Sequence, residues 1–127
     1  MKNKTKGTNA ERELIHLLWE SGWAACRVAG SGSMSYPAPD ILASRNGVVF
    51  AIECKTTKKK QQYLEKEEVK QLLEFAQRSG AQPLIAVRFS HEPWYFLTPS
   101  QLKETQALCG VTAKTAKKLG LLLNDIF

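Results

Sequence analysis

Apolar and polar residues recur along this chain with two different periods, and each change of period marks an element. Leu14, Ile15, Leu17 and Leu18 form a helical stripe, which predicts a helix over residues 8–21. Thr8-Asn9-Ala10-Glu11 fits a capping box at its start, and Gly22 suits its C-terminal cap. Residues 23–28 read as a first strand. The Gly-, Ser- and Pro-rich stretch 30–39 reads as a loop. Two strands follow, over 39–45 and 48–55, with Asn46-Gly47 between them. Residues 56–62 read as a polar, basic link. Residues 65–79 read as a second helix with Val69, Leu72, Leu73 and Ala76 on one face, ended by Gly80. Apolar runs at 83–89 and 94–97 predict two further strands, the second stopped by Pro99, and 112–119 predicts a last short helix. This order predicts one domain over residues 1–127, of α/β class, with a central mixed sheet flanked by helices.

Asn-Gly between two strands is the strongest short-range signal for a two-residue type I′ turn, and such a turn fixes the register. Arg45 then faces Val48, Ala43 faces Phe50, and Asp40 faces Glu53. Alternation puts Lys55 on the face of Glu53 and Cys54 on the opposite, core face. Two carboxylates opposed across a strand pair, with Cβ atoms ~5 Å apart, repel each other. A cation between them removes the repulsion, and hard oxygen ligands suit Mg²⁺ or Mn²⁺. The hairpin therefore predicts a divalent-metal site at Asp40 and Glu53 with Lys55 beside it. Glu11 has two readings. It is the capping-box acid that returns to the backbone of Thr8, or it turns from the end of the buried stripe toward the sheet and completes the metal site.

Length and composition narrow the setting. The chain has 127 residues, 43% of them hydrophobic, enough for a core of its own. Its net charge of +6 favours anionic partners, nucleic acid first. No apolar run approaches the ~18 residues of a membrane span, and the basic N-terminus leads into a helix rather than a signal-peptide core. Cys26, Cys54 and Cys109 match no zinc spacing and read as buried thiols in a reducing, cytoplasmic compartment. His16 and His91 fit no ligand pattern.

Pro39-Asp40 followed by Glu53-Cys54-Lys55 spells the PD-(D/E)xK nuclease motif. The carboxylates would hold one or two divalent ions against a scissile phosphate, and Lys55 would orient the attacking water or donate to the phosphate. A Glu-x-Lys on an exposed strand also arises as a solvated face; the hairpin register is what groups these three side chains. Over most of residues 6–98 the chain resembles the archaeal-type Holliday junction resolvases, a branch of that superfamily. The resemblance rests on Lys6-Gly7 with Ala10-Glu11-Arg12-Glu13-Leu14, on Arg27-Val28-Ala29-Gly30-Ser31, on Pro39-Asp40 and on Ile52-Glu53-Cys54-Lys55. It implies a restriction-endonuclease-like fold and a homodimeric, Mg²⁺-dependent endonuclease making paired nicks in four-way DNA junctions. It also implies that Glu11, Asp40, Glu53 and Lys55 form the active site, that Arg12 and Arg27 handle DNA, and that Ser31 belongs to a loop near the cleavage site.

A near-two-fold junction needs two matched cuts, which an isologous dimer supplies. Trp94, Phe96 and Leu97, with Phe75, either form the apolar face for that dimer or fill the core. Lys58, Lys59 and Lys60 leave the Glu53 strand at its acidic end and are the candidates for holding backbone phosphates; the alternative is a solvated charge run. Two other functions are compatible with the same residues: a nuclease of the superfamily acting on flaps, modified or foreign DNA, and a DNA-binding module without catalysis.

Overall fold

The computed structural model describes residues 2–30 and 35–127. Helix α1 (Lys2–Glu20) is followed by strands β1 (Ala24–Arg27), β2 (Ile41–Arg45), β3 (Val48–Thr57) and β4 (Gln61–Glu65). Then come α2 (Lys66–Ser79), β5 (Gln82–Phe89), β6 (Trp94–Leu97), a short 3₁₀ turn (Pro99–Gln101), β7 (Lys103–Glu104), β8 (Leu108–Thr112), α3 (Ala113–Leu119) and α4 (Leu123–Ile126). The central sheet runs β1-β2-β3-β5-β6. It is mixed, as expected: β3 and β5 are parallel, joined by the α2 crossover, and the other neighbours are antiparallel.

The hairpin forms as its turn dictates. Asn46 and Gly47 both have positive φ, 51° and 84°, the signature of a type I′ turn. Arg45 pairs with Val48, Ala43 with Phe50, and Ile41 with Ile52. The apolar residues of β3 then separate by parity. Phe50 and Ile52 join Leu14, Leu18, Ile41, Leu84 and Phe96 under α1. Ala51 joins Val69, Leu72, Ile85, Val87 and Leu97 under α2. Leu84 to Val87 of β5 are buried on both faces, which suits the inner strand of a parallel pair.

Several expectations are corrected. The first helix begins at Lys2, not at residue 8, because residues 2–7 hold no helix breaker stronger than Gly7 and continue the ladder. Thr8 thus lies inside the helix, and Thr8–Glu11 is no terminal capping box. Residues 56–62 are not a link: β3 runs on to Thr57, Lys58–Lys60 make a bend, and β4 starts at Gln61. Beyond Gln101 the chain is ordered into β7, β8, α3 and α4, and β4-β8-β7 form a second, three-stranded sheet. Trp94, Phe96 and Leu97 are core residues, and Phe75 packs against the core. Trp94, Phe96 and Leu97 therefore offer no dimer face, whereas Phe75 is only partly buried. Leu73, in contrast, is exposed. Cys26 is exposed rather than buried because β1 is an outer strand. No described helix is long and apolar enough to cross a membrane.

Candidate active site

A cleft opens where β2 begins and β3 passes beyond the covered core. Glu11, Asp40, Glu53 and Lys55 all line it, together with Glu68 and Gln71 of α2. Glu53 and Lys55 continue the α2-facing parity of Ala51, whereas Cys54 packs toward the α1 side, as alternation requires. Asp40 sits at the bend before β2, not inside the strand. Its backbone holds it there: the Asp40 N–H donates to the Ile52 carbonyl at 3.1 Å, and the Asp40 carbonyl accepts from the Val28 N–H at 2.8 Å. Its carboxylate Oδ2 accepts from the Cys54 N–H at 2.9 Å. Asp40 therefore leans across the end of the hairpin onto the β3 backbone.

Glu11 reaches the cleft from α1. Its Oε1 accepts from Arg27 Nε at 3.1 Å, both side chains being half-buried. This contact decides between the two readings of Glu11: it faces β1 and the cleft, not the backbone of Thr8. Lys55 Nζ lies 2.6 Å from Glu68 Oε2, and Glu68 Oε1 accepts from the Glu65 N–H at 3.0 Å. Arg12 is exposed, next to Glu11 on α1. Lys58, Lys59 and Lys60 are exposed on the bend that follows β3. Ser31 lies outside the described residues.

Burial first, and neighbouring acids second, set the protonation of the cleft. Burial, and then the Asp40 carboxylate, push Glu53 up to about 9, with Lys55 only partly opposing them. Burial and Asp40 also raise Glu11, against the pull of Arg27. Burial lowers Lys55, but the Glu68 hydrogen bond and charge, followed by Glu53 and Asp40, outweigh it and leave the ammonium above its usual range. Burial, then Asp40, hold the Cys54 thiol protonated, which makes it an inert packing group.

This donor set fits a hard divalent ion. Glu53 keeps a proton at neutral pH because it is buried and then because Asp40 lies beside it, and a dication could take the place of such a proton. Among the described residues no three His, Cys, Asp or Glu side chains form a ready cage. Mg²⁺ ordinarily needs none, binding through one or two carboxylates with water and substrate phosphates.

Comparison with known proteins shows the family of the whole chain. The family model "Archaeal holliday junction resolvase (hjc)" matches residues 2–127. The chain belongs to the archaeal Holliday junction resolvases. Over 103 residues it is 42% identical to the crossover junction endodeoxyribonuclease Hjc of Archaeoglobus fulgidus, covering 81% of this chain and 76% of that one. Over 127 residues it is 33% identical to the Hjc of Sulfurisphaera tokodaii, covering 98% and 87%. The solved structure of Archaeoglobus fulgidus Hjc, a Holliday junction resolvase, superposes with a TM-score of 0.87 at 35% identity, covering 95% of this chain and 94% of that one.

Within this resolvase chain, sequence reasoning missed Glu68 and Gln71. One signal was present: Glu65 and Glu68 stand three apart at the start of the predicted second helix, the spacing of a capping pair.

Proposed function

We propose that this chain is a DNA endonuclease that resolves four-way junctions by paired nicks in opposite strands. The observation that carries the reading is the meeting of Asp40, Glu53 and Lys55 in one cleft at the end of the hairpin, in a chain matched to the resolvase family along residues 2–127.

Asp40 and Glu53, with Glu11 beside them, are the residues that would hold Mg²⁺ (or Mn²⁺), which when bound supplies a water of lowered pKa and neutralises charge building at the phosphate. The chain's own groups do the rest. The Cys54 N–H holds the Asp40 carboxylate before substrate arrives, and the strand fixes the backbone that carries Glu53, so less reorganisation is left for the reaction. Lys55 keeps its charge at neutral pH and can hold a phosphate oxygen or orient the attacking water. Arg27 pairs with Glu11, and Arg12 and Lys58–Lys60 offer exposed cations for backbone phosphates, which would select for shape rather than sequence. Two such sites, related by the axis of a homodimer, would match the two-fold symmetry of a junction. The setting is cytoplasmic DNA.

The deciding experiment incubates the protein with synthetic four-way junction, flap and linear duplex DNA, with and without Mg²⁺. Two symmetric nicks in the junction, Mg²⁺-dependent, with linear duplex intact, are expected. Equal cutting of linear duplex would remove junction selectivity and leave a general nuclease. Binding of the junction without any cutting would leave a recognition module.

A further inference from the structure

A lysine on a four-carbon stem is a poor catalytic group unless something fixes it, because it has several rotamers to choose from. At Lys55 the fixing group comes from outside the hairpin. Glu68 stands one turn before Leu72 on α2 and so extends the buried stripe of Leu72 and Ala76 to the cleft. Its two carboxylate oxygens have separate duties: Oε1 accepts from the Glu65 N–H at 3.0 Å, and Oε2 meets Lys55 Nζ at 2.6 Å. The helix start thereby immobilises the carboxylate, and the carboxylate immobilises the ammonium. Both side chains are mostly sheltered, 31% and 26% exposed, so water screens the pair less than it would a surface bridge.

We propose that Glu68 is the positioning residue for Lys55, tying the ammonium of the cleft to the first turn of α2. The inference rests on the nuclease reading of the cleft. It also sets Glu68 apart from the metal-facing acids, since both its oxygens are already engaged inside the protein.

Glu68→Gln tests it, because the amide oxygen can still accept from Glu65 while the charge that holds Lys55 is gone. Loss of a charged hydrogen bond from the rate-determining geometry should slow single-turnover junction cleavage about tenfold or more. Junction affinity measured without Mg²⁺ should change little. In metal-free protein, acylation of the Lys55 amine by an N-hydroxysuccinimide ester, followed by peptide mass spectrometry, should become several-fold faster. A purely structural role would lower the melting temperature and leave Lys55 labelling where it was. Full-rate cleavage by Glu68→Gln, or slow cleavage with unchanged Lys55 labelling, overturns the proposal. Wild-type protein supplies a second measurement that needs no variant: Lys55 should acylate several-fold more slowly than exposed Lys59, and equal rates also overturn it. Lys55→Met separates the two levels of inference. If it cuts like wild type, the reading of the cleft falls; if it is inactive while Glu68→Gln cuts at full rate, only the role of Glu68 falls.

Discussion

Replacing Glu53 with Gln should make the metal-free protein more stable while destroying its activity. In the native chain Glu53 holds its proton up to about pH 9, against 4.5 for an ordinary glutamate, because it is buried beside Asp40. Between those values the folded state binds one more proton than the unfolded state, so stability falls as pH rises through the window. The slope from this group is about −1.4 kcal/mol per pH unit, which accumulates to about 3 kcal/mol by pH 7. Glu53→Gln removes the titration, and its amide can donate to Asp40 as the carboxylic acid did. At about 4 °C per kcal/mol for a chain of this size, the variant should melt several degrees higher at neutral pH, with the gap widening toward pH 9 and closing near pH 5. Mg²⁺ should raise the wild-type melting temperature, since a ligand that binds only the folded state stabilises it, and should leave the variant unmoved. Calorimetric melts in chelator and in Mg²⁺, across that pH range, measure both effects. A variant that melts below wild type at every pH, or a gap independent of pH, would refute the placement of Glu53 in a cluster of mutually repelling acids.

Other perturbations probe separate parts of the argument. Asp40→Asn should abolish junction cleavage and keep junction binding in a gel-shift assay, because affinity comes from phosphate contacts elsewhere; normal cutting would misplace the site. Replacing Lys58, Lys59 and Lys60 together with Ala should weaken binding of all DNA forms and flatten the dependence of log affinity on log salt by up to about three contacts, measured by fluorescence anisotropy. Leu14→Ala, at a position with 0% exposure under the sheet, should cost about 3 kcal/mol in urea denaturation with no change in the cleft chemistry.

How much of this was legible follows from how local each determinant is. The turn Asn46-Gly47 acts over four residues, and it alone set the register that brings Asp40 to Glu53. The α2 stripe and the two-sided burial of β5 are likewise patterns within one element. The second sheet was not legible, because β4 and β8 are far apart in sequence and each is short. A trace of their pairing existed: Gly110 interrupts an otherwise apolar run, and a Cβ there would meet the Tyr63 ring at 2.9 Å. Glycine in a strand often marks such a close approach. Trp94 and Phe96 could not be assigned to core or surface by composition, since that depends on α1, α4 and Phe127 closing over them; the Phe127 ring packs 5.2 Å from Phe96. Leu73 shows the converse error, an apolar letter beside the stripe that the helix turns outward.

The same distinction explains why the central acids were visible and their attendants were not. Asp40 and Glu53 meet within one hairpin, whereas the contacts that order the cleft cross between elements: Arg27 of β1 to Glu11 of α1, and Lys55 of β3 to Glu68 of α2. Each cation is matched to an acid at the edge of the cleft. The cleft therefore brings together four carboxylates, Glu11, Asp40, Glu53 and Glu68, with two cations to meet them, Lys55 in the lining and Arg27 paired with Glu11. Two negative charges are in excess, and burial makes that excess costly. The raised Glu53 is how the metal-free chain lowers it, by retaining a proton. A divalent ion would cancel the same excess without protonating the groups that the proposed chemistry requires as carboxylates. Cleavage should accordingly saturate with Mg²⁺ at lower concentration as pH rises, because the ion then displaces fewer protons from Glu53; a Mg²⁺ requirement independent of pH would break the link between the acid cluster and the metal.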